Sequence, residues 1–393
     1  MKKILFVHHV SEVGGASYCL LSIIKELNRN RFEPMVLLRN YGPLVDELKK
    51  LHVEVFYYPS LRGYPYNKTL FNIRNLVSVL RIYRSFPKFE KLLVKCNPDI
   101  IYFNNTFLFP YLNISFKKRI KSVIHIREHW PMKEHANQLQ FIRKQILRKA
   151  NSIIAINKYS AQMISNDSPK IKIVYDWIDL ETRYEPMPLC KILGEDTSSL
   201  KIFIFTGGMQ PAKGTYEVLE TFSTKITDCN SRLLVLGFSK EISEEGVRGN
   251  IKRLLRILGY YTYEYKVKAI AQNDSRIICI PSTYNIKDLL NQSYCMLSYF
   301  TIPHANLAMA EAMTEELPCI AAKTEESLEY TENGEYALLF DMNDIASFEK
   351  CIDNLEILYT DIKNKLQSNA SHIKEMFSKE ENSKRLMTIL ASL

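Results

Sequence analysis

The chain lacks any long hydrophobic run. No apolar stretch approaches the roughly 18 residues of a membrane-spanning helix, so a transmembrane anchor is not expected. The opening Met1-Lys2-Lys3 then Ile4-Leu5-Phe6-Val7 begins like a signal peptide. The apolar run stops at His8-His9, too short for an export signal, and reads as a first strand. Glycine (13) and proline (15) are too sparse for a collagen-like or low-complexity chain. The eight cysteines (Cys19, Cys96, Cys190, Cys229, Cys279, Cys295, Cys319 and Cys351) are scattered and include no C-x-x-C pair. That spacing excludes a disulfide-stapled scaffold and a clustered zinc site, and fits free thiols in a reducing cytoplasm. Neither the G-x-G-x-x-G nor the P-loop spacing occurs. Zinc-finger, RNP-type and basic-zipper patterns are also missing, so nucleic acid is not an expected partner.

What is present is an ordinary globular composition with an uneven charge. The 393 residues are 46% hydrophobic and 24% charged, enough for two or three domains. Residues 1–200 carry 31 basic and 17 acidic side chains, against 21 and 26 in residues 201–393. Halves of opposite sign suggest two domains with different partners. The basic excess gathers at Arg74, Arg81, Arg84, Lys88, Lys91 and Lys95 in one helical stretch, and at Lys117, Lys118 and Arg119. Both segments are candidates for an anionic membrane surface, where each basic residue contributes about 1 kcal/mol and apolar neighbours add shallow insertion. A solvated helix face is the competing reading.

Short apolar runs alternate with helical patterns along the whole chain. Strands are expected near 3–8, 34–38, 53–57, 99–103, 121–126, 152–156 and 171–174. After a polar, proline-bearing stretch at 181–199 they resume near 201–206, 232–236, 276–279, 294–298, 318–321 and 336–339. Such alternation predicts an α/β protein of two doubly wound parallel sheets. The expected domains are 1–180, a linker over 181–199, and 200–375, with a C-terminal helix over 376–393 placed to pack back on the first domain. Ligands in such sheets bind beyond the carboxyl ends of the strands, so a cleft between the domains is the expected site.

Four motifs lie at such strand ends. The first is Val13-Gly14-Gly15-Ala16-Ser17, ahead of a helix; two glycines there permit close backbone approach to an anion or a sugar. The second is Ile124-His125-Ile126-Arg127-Glu128-His129, in which His125 and Arg127 should share a face. His125 and His129 have the i, i+4 spacing of a zinc pair, but no helix signal or third ligand accompanies them, so no metal is expected. The third runs Thr206-Gly207-Gly208-Met209-Gln210-Pro211-Ala212-Lys213-Gly214, where Lys213 can meet a phosphate held by helix N-terminal amides. The fourth is Ser298 to Met313, with a loop containing Pro303, His304 and Ala305, a helix opening near Asn306-Leu307, and Glu311 inside it.

Taken in order, these elements resemble the glycosyltransferases of family four, which have the GT-B fold. Gly-Gly-Ala after the first strand, Val174-Tyr175-Asp176-Trp177-Ile178-Asp179 at the family's linker strand, the Gly207–Gly214 turn, the Ser298–Met313 segment and the Leu317-Pro318 strand stand at the family's landmarks. The resemblance implies a retaining, metal-independent enzyme that moves a sugar from a nucleotide-sugar donor to a saccharide or lipid-linked acceptor, in bacterial surface-polysaccharide synthesis. No cofactor is implied. The implied donor site comprises Gly14, Gly15, Gly207, Gly208, Lys213, His304, Ala305, Asn306, Leu307 and Glu311, with Glu311 on the ribose hydroxyls. The catalytic set is His125, Arg127, Glu128 and Lys213; either His125 or the Arg127-Glu128 pair takes the family's sugar-facing histidine position. The chain departs from the family at two places. Its phosphate-binding arginine falls on Gly208, and the first of its paired glutamates falls on Pro303. A non-catalytic partner subunit and a GT-B nucleotide-sugar epimerase are the alternative functions. The implied location is cytoplasmic, with peripheral contact at the inner face of the membrane.

Overall fold

The computed structural model describes residues 1–12, 14–65, 73–129, 136–179, 182, 184–238, 240, 260–283 and 285–393. Val13 of the Gly-Gly motif and residues 181 and 183 of the expected linker lie outside the described residues. Two compact units result: Met1–Ile178 with Phe377–Leu393, and Asp179–Met376.

The strands of unit 1 are β1 (Lys2–Val7), β2 (Phe32–Leu38), β3 (Glu54–Tyr57), β4 (Ile100–Phe103), β5 (Lys121–Ile126), β6 (Ser152–Ala155) and β7 (Ile171–Ile173). Those of unit 2 are β8 (Lys201–Phe205), β9 (Ser231–Leu236), β10 (Ile277–Ile280), β11 (Cys295–Ser298), β12 (Cys319–Ala322) and β13 (Leu338–Phe340). Helices α1 (Gly15–Glu26), α2 (Pro43–Lys50), α3 (Ile73–Cys96), α4 (Leu112–Lys118), α5 (Ala136–Lys149) and α6 (Lys158–Ile164) belong to unit 1. Unit 2 contains α7 (Leu189–Leu193), α8 (Thr215–Lys225), α9 (Tyr263–Asn273), α10 (Ile286–Asn291), α11 (Leu307–Thr314), α12 (Glu325–Tyr330), α13 (Ile345–Ser368) and α14 (Ala370–Met376). Helix α15 (Lys379–Ala391) returns to unit 1.

Both sheets are parallel. The first has the order β3-β2-β1-β4-β5-β6-β7 and the second β10-β9-β8-β11-β12-β13. The strand order therefore reverses between β1 and β4, and again between β8 and β11; these are the switch points at which doubly wound sheets open a crevice. The strands are nearly continuous apolar runs because both faces are covered. In unit 1 Leu5, Val7, Ile101, Phe103, Ile124 and Ile126 share one core with Ile82 and Phe89 of α3 and Leu139 and Ile142 of α5. Their neighbours Ile4, Phe6, Ile100, Tyr102 and Val123 face the other way, toward Leu20 and Ile24 of α1 and Leu386 and Leu390 of α15. In unit 2 Phe203, Phe205, Leu233, Val235 and Leu297 pack with Val218 and Phe222 of α8 and Phe348 of α13.

The stretch expected as a linker is instead part of unit 2. Leu189 is fully buried. Its amide donates to Gln292 Oε1 (2.9 Å), and the Met187 amide donates to Asp288. Polar side chains on and beside α10 thus satisfy backbone groups that a free linker would leave to water.

Candidate functional site

In unit 1 the ends of β1, β4 and β5 converge on one polar network. Asn104, just past β4, donates through Nδ2 to His8 Nδ1 (3.2 Å) and to the Ala16 carbonyl (3.2 Å). His8 Nε2 lies 3.1 Å from Ser17 Oγ, whose hydroxyl donates to the Glu12 carbonyl at 2.6 Å. Ser17 therefore accepts from His8, which sets a neutral ring protonated at Nε2. Burial, with His9 and Arg127 nearby, depresses His8 to about 3, and burial beside Arg39 depresses His9 to about 4. Asn105 holds His9 Nδ1 at 2.7 Å. The network fixes the loop that carries Gly14 and Gly15. A Cβ on either glycine would meet nothing within 4 Å, and the head of α1 has no side-chain cap. Both glycines are exposed, so this helix start is accessible to a ligand.

The structure separates the members of the Ile124–His129 motif. His125 is a core residue: it is 2% exposed, bonded through Nδ1 to Tyr102 OH (2.6 Å), and driven by burial well below the usual histidine range. The end of β5 carries Arg127 and Glu128 instead. Arg127 Nη1 donates to both carboxylate oxygens of Asp176 (2.6 Å each), and Nε donates to Asn104 Oδ1 at 3.3 Å. Glu128 Oε2 accepts from the Thr106 amide (2.8 Å), and burial raises its carboxyl to about 7. His129 stacks on Tyr159, with ring centroids 4.3 Å apart. Among the described residues no three histidine, cysteine or acidic side chains gather as metal ligands. Among the described residues, Asn105 Oδ1, His125 Nε2, Arg127 Nη2 and Asn157 Nδ2, on and beyond the ends of β4, β5 and β6, are buried without a protein partner. Sequence reading passed over Asn104, Asn105 and Asn157. Their signal was a polar side chain directly after a buried strand.

These buried groups make unit 1 sensitive to acid. A histidine depressed in the folded state takes up its proton only in the unfolded chain, so stability present above pH 6.5 is lost as pH falls. By pH 5 each of His8 and His9 subtracts about 2 kcal/mol, with His125 acting in the same direction, while Glu128, protonated early in the folded state, returns about the same amount once. The urea midpoint of unit 1 should therefore drop between pH 7 and pH 5. A flat midpoint over that interval would contradict the buried neutral histidines.

In unit 2 the Gly-rich turn sits at the β8–β11 switch point. Gly208 has φ +60°, and its amide donates to the Leu236 carbonyl (3.1 Å), while Thr215 Oγ1 donates to the Gly208 carbonyl (2.8 Å). That left-handed backbone suits a glycine, because a longer side chain would be strained there. Gly214, at φ +66°, starts α8; a Cβ there would lie 2.4 Å from the Tyr299 carbonyl oxygen. The turn is fastened to the loop after β11: the Thr301 amide donates to the Ala212 carbonyl and its hydroxyl to the Pro211 carbonyl, both at 3.1 Å. Asn306 caps α11 by accepting from the Met309 amide (3.1 Å) and donates to Ser298 Oγ at 2.8 Å.

Lys213 and Glu311 couple across this corner. Burial lowers the Lys213 ammonium below its ordinary value, and Glu311 partly offsets that; burial raises Glu311 to about 7, and Lys213 partly offsets that. The Lys213 Nζ also lies 5.7 Å from the centre of the Phe300 ring. Leu307 and Ala305 are half-buried at the head of α11, Pro303 is half-buried, and His304 is exposed beside Phe300, with centroids 5.4 Å apart. The arrangement offers an anion one ammonium, a turn of backbone and a helix start, and offers hydroxyl groups one buried carboxyl group.

Comparison with known proteins agrees with this geometry. Residues 13–182 match the family described as Glycosyltransferase Family 4, and residues 200–356 match Glycosyl transferases group 1. No curated protein matches the chain by sequence. Among solved structures, Anabaena HepE in complex with UDP-glucose is similar at 18% identity and a TM-score of 0.72, with 100% of both chains covered. Sucrose-phosphate synthase from Thermosynechococcus elongatus is similar at 14% identity and a TM-score of 0.66, covering 100% of this chain and 99% of that one. The lipopolysaccharide outer core galactosyltransferase WaaB is similar at 15% identity and a TM-score of 0.60, with 100% of both chains covered. With its first half matching one glycosyltransferase family, its second half another, and both halves folded as Rossmann-like units, the chain belongs to the family-four glycosyltransferases of the GT-B fold.

Proposed function

We propose that the protein transfers a glycosyl group from a nucleoside-diphosphate sugar to a saccharide or lipid-linked acceptor, with retention and without a metal ion, in surface-polysaccharide assembly. The observation that carries this reading is the Gly207–Gly214 turn at the switch point of the second sheet, with Lys213 coupled to Glu311 beside it. The diphosphate would lie on the turn and on the amides opening α11. Lys213 would neutralise charge developing on the departing nucleoside diphosphate, an electrostatic role. Glu311 would accept from the ribose hydroxyls once ionised. In unit 1, Glu128 at the end of β5 and the open Gly14-Gly15 backbone are the groups for sugar hydroxyls, whereas His125 supports the sheet core. The UDP-glucose bound to HepE and the lipopolysaccharide outer core named for the galactosyltransferase WaaB are consistent with this reading.

Calorimetric titration with UDP, GDP and ADP and their common sugar conjugates tests it. Micromolar binding of one nucleotide, with turnover of its conjugate, is expected. No binding across the panel by folded protein would favour a non-catalytic partner subunit.

Membrane contact forms part of the proposal. Among the described residues no helix is long and apolar enough to cross a membrane. Helix α3 nevertheless exposes Ile73 (77%), Leu76, Val77, Leu80 and Tyr83 at helical spacing. Arg74, Arg81, Arg84, Lys88, Lys91 and Lys95 are exposed along the same helix. Lys117, Lys118 and Arg119 are exposed at the end of α4, with Lys118 paired to Glu90 of α3 at 3.8 Å. An apolar stripe edged by basic residues suits shallow insertion into an anionic leaflet. Changing Arg81, Arg84 and Lys88 to glutamate should weaken sedimentation with phosphatidylglycerol vesicles by at least about a hundredfold. Unchanged co-sedimentation would retire the membrane contact.

A further inference from the structure

Unit 2 has a second concavity, between α8 and α9. Its volume is about 440 Å³, and it is lined by Tyr216, Glu220, Tyr261, Tyr265, Lys266 and Ile270, with smaller side chains between them. The sequence builds it by period. Tyr216 and Glu220 stand four residues apart on α8, on the side away from the buried Val218, Leu219 and Phe222. Tyr265, Lys266 and Ile270 lie on the opposing flank of α9. Thr262 caps α9 by accepting from the Tyr265 amide (3.2 Å), and Tyr263 OH accepts from the Tyr216 amide (3.0 Å), so both walls are anchored at their helix starts.

The lining combines flat aromatic surface with polar edges. The Tyr261 and Tyr265 rings stack at 5.5 Å with an 18° interplanar angle, and Tyr261 remains 52% exposed. Tyr216 OH donates to Glu220 Oε1 at 2.7 Å, which holds a carboxylate beside the rings. An ammonium at Lys266 completes the rim. One cation against one carboxylate gives no net field for a phosphate. An apolar peptide would desolvate the Glu220 carboxylate and the Lys266 ammonium and offer neither a new hydrogen bond. A sugar ring offers an apolar C–H face to stack on tyrosine and hydroxyls around its edge to meet Glu220, Lys266 and the tyrosine hydroxyls.

We propose that this groove is a non-catalytic binding site for an uncharged saccharide, one that would hold an acceptor chain or extended product on the enzyme. Its test uses the full-length protein labelled with 3-fluorotyrosine, saturated with UDP, and titrated with linear gluco- and galacto-oligosaccharides. The Tyr261 resonance, assigned with Tyr261→Phe, should shift saturably with at least one saccharide. Read at the Tyr265 resonance, assigned with Tyr265→Phe, Tyr261→Ala should weaken that binding about tenfold, while Tyr261→Phe, which keeps the ring, should retain it. No saturable shift in the unmutated protein would overturn the proposal, as would equal affinity in Tyr261→Ala. A shift caused by UDP alone would also overturn it, because the groove would then belong to the donor site. UDP binding is read in its own titration, so failure of the groove and failure of the donor site are separable.

Discussion

Lys213→Ala should lower affinity for the nucleotide-sugar donor ten- to hundredfold. The expectation rests on what the turn lacks. Gly208 holds a left-handed conformation and brings no side chain to the turn, so Lys213 is the cation the turn itself offers a diphosphate. A hydrogen bond from a charged group contributes roughly 1.5–3 kcal/mol, and each 1.4 kcal/mol is tenfold. The loss should be compounded at Glu311. Burial already raises that carboxyl to about 7, and Lys213 is the group that pulls it down. Without Lys213, Glu311 would be protonated at neutral pH and would lose part of its capacity to accept from ribose. Lys213→Arg keeps the charge and should recover most of the affinity. Donor affinity in the unmutated protein should also rise as pH increases through 7, because Glu311 ionises there. A nucleotide sugar has no phosphate ionisation near that pH to confuse the reading. Affinity in Lys213→Ala equal to wild type would remove the phosphate assignment.

Asp176→Ala should destabilise unit 1 by about 3–5 kcal/mol, the range for leaving one charge of a buried pair alone. The Arg127 side chain is 6% exposed and that of Asp176 19%. Asp176 raises the Arg127 guanidinium against the effect of burial, and a guanidinium keeps its proton in a protein, so Arg127 stays charged when its partner is removed. The pair joins β5 to the segment that closes the unit, where the Tyr175 amide donates to Asn382 Oδ1 (3.1 Å) and the Ile178 amide to the Phe377 carbonyl (3.0 Å). Loss of the pair should therefore also loosen α15. A few kcal/mol is a large part of the 5–15 kcal/mol that holds a typical domain together. The urea midpoint should fall sharply in Asp176→Ala and recover in an Arg127→Met, Asp176→Leu double variant, which removes both charges. A midpoint within 1 kcal/mol of wild type in the single variant would show that water or another group already compensates Arg127.

Strands buried on both faces are legible one by one, because Ile4-Leu5-Phe6-Val7 or Ile100-Ile101-Tyr102-Phe103 can hardly be anything else in an α/β chain. Local motifs are legible for a similar reason. A turn such as Gly207–Gly214 is made by consecutive residues, and its backbone needs show as glycines. Helices such as α4, α7, α9 and α12 leave little trace in the sequence. Their apolar faces are short, and only packing reveals them. The stretch over 181–199 reads as a linker because composition shows polarity but not what the polar groups bond, such as the Leu189 amide on Gln292.

The sequence alone determined the fold class, the strands, the family landmarks and the positions of Lys213 and Glu311, since each is written in adjacent residues or in a short repeat. Tertiary structure decided the chemistry of those positions. Arg127 meets Asp176 forty-nine residues away, and Asn104 meets His8 across ninety-six. No local pattern encodes such meetings, because strand order brings those residues together. It also decided charge states. His125 is held neutral in the sheet core, and Glu128 and Glu311 titrate near neutrality, because burial withdraws the water that would otherwise stabilise their charged forms.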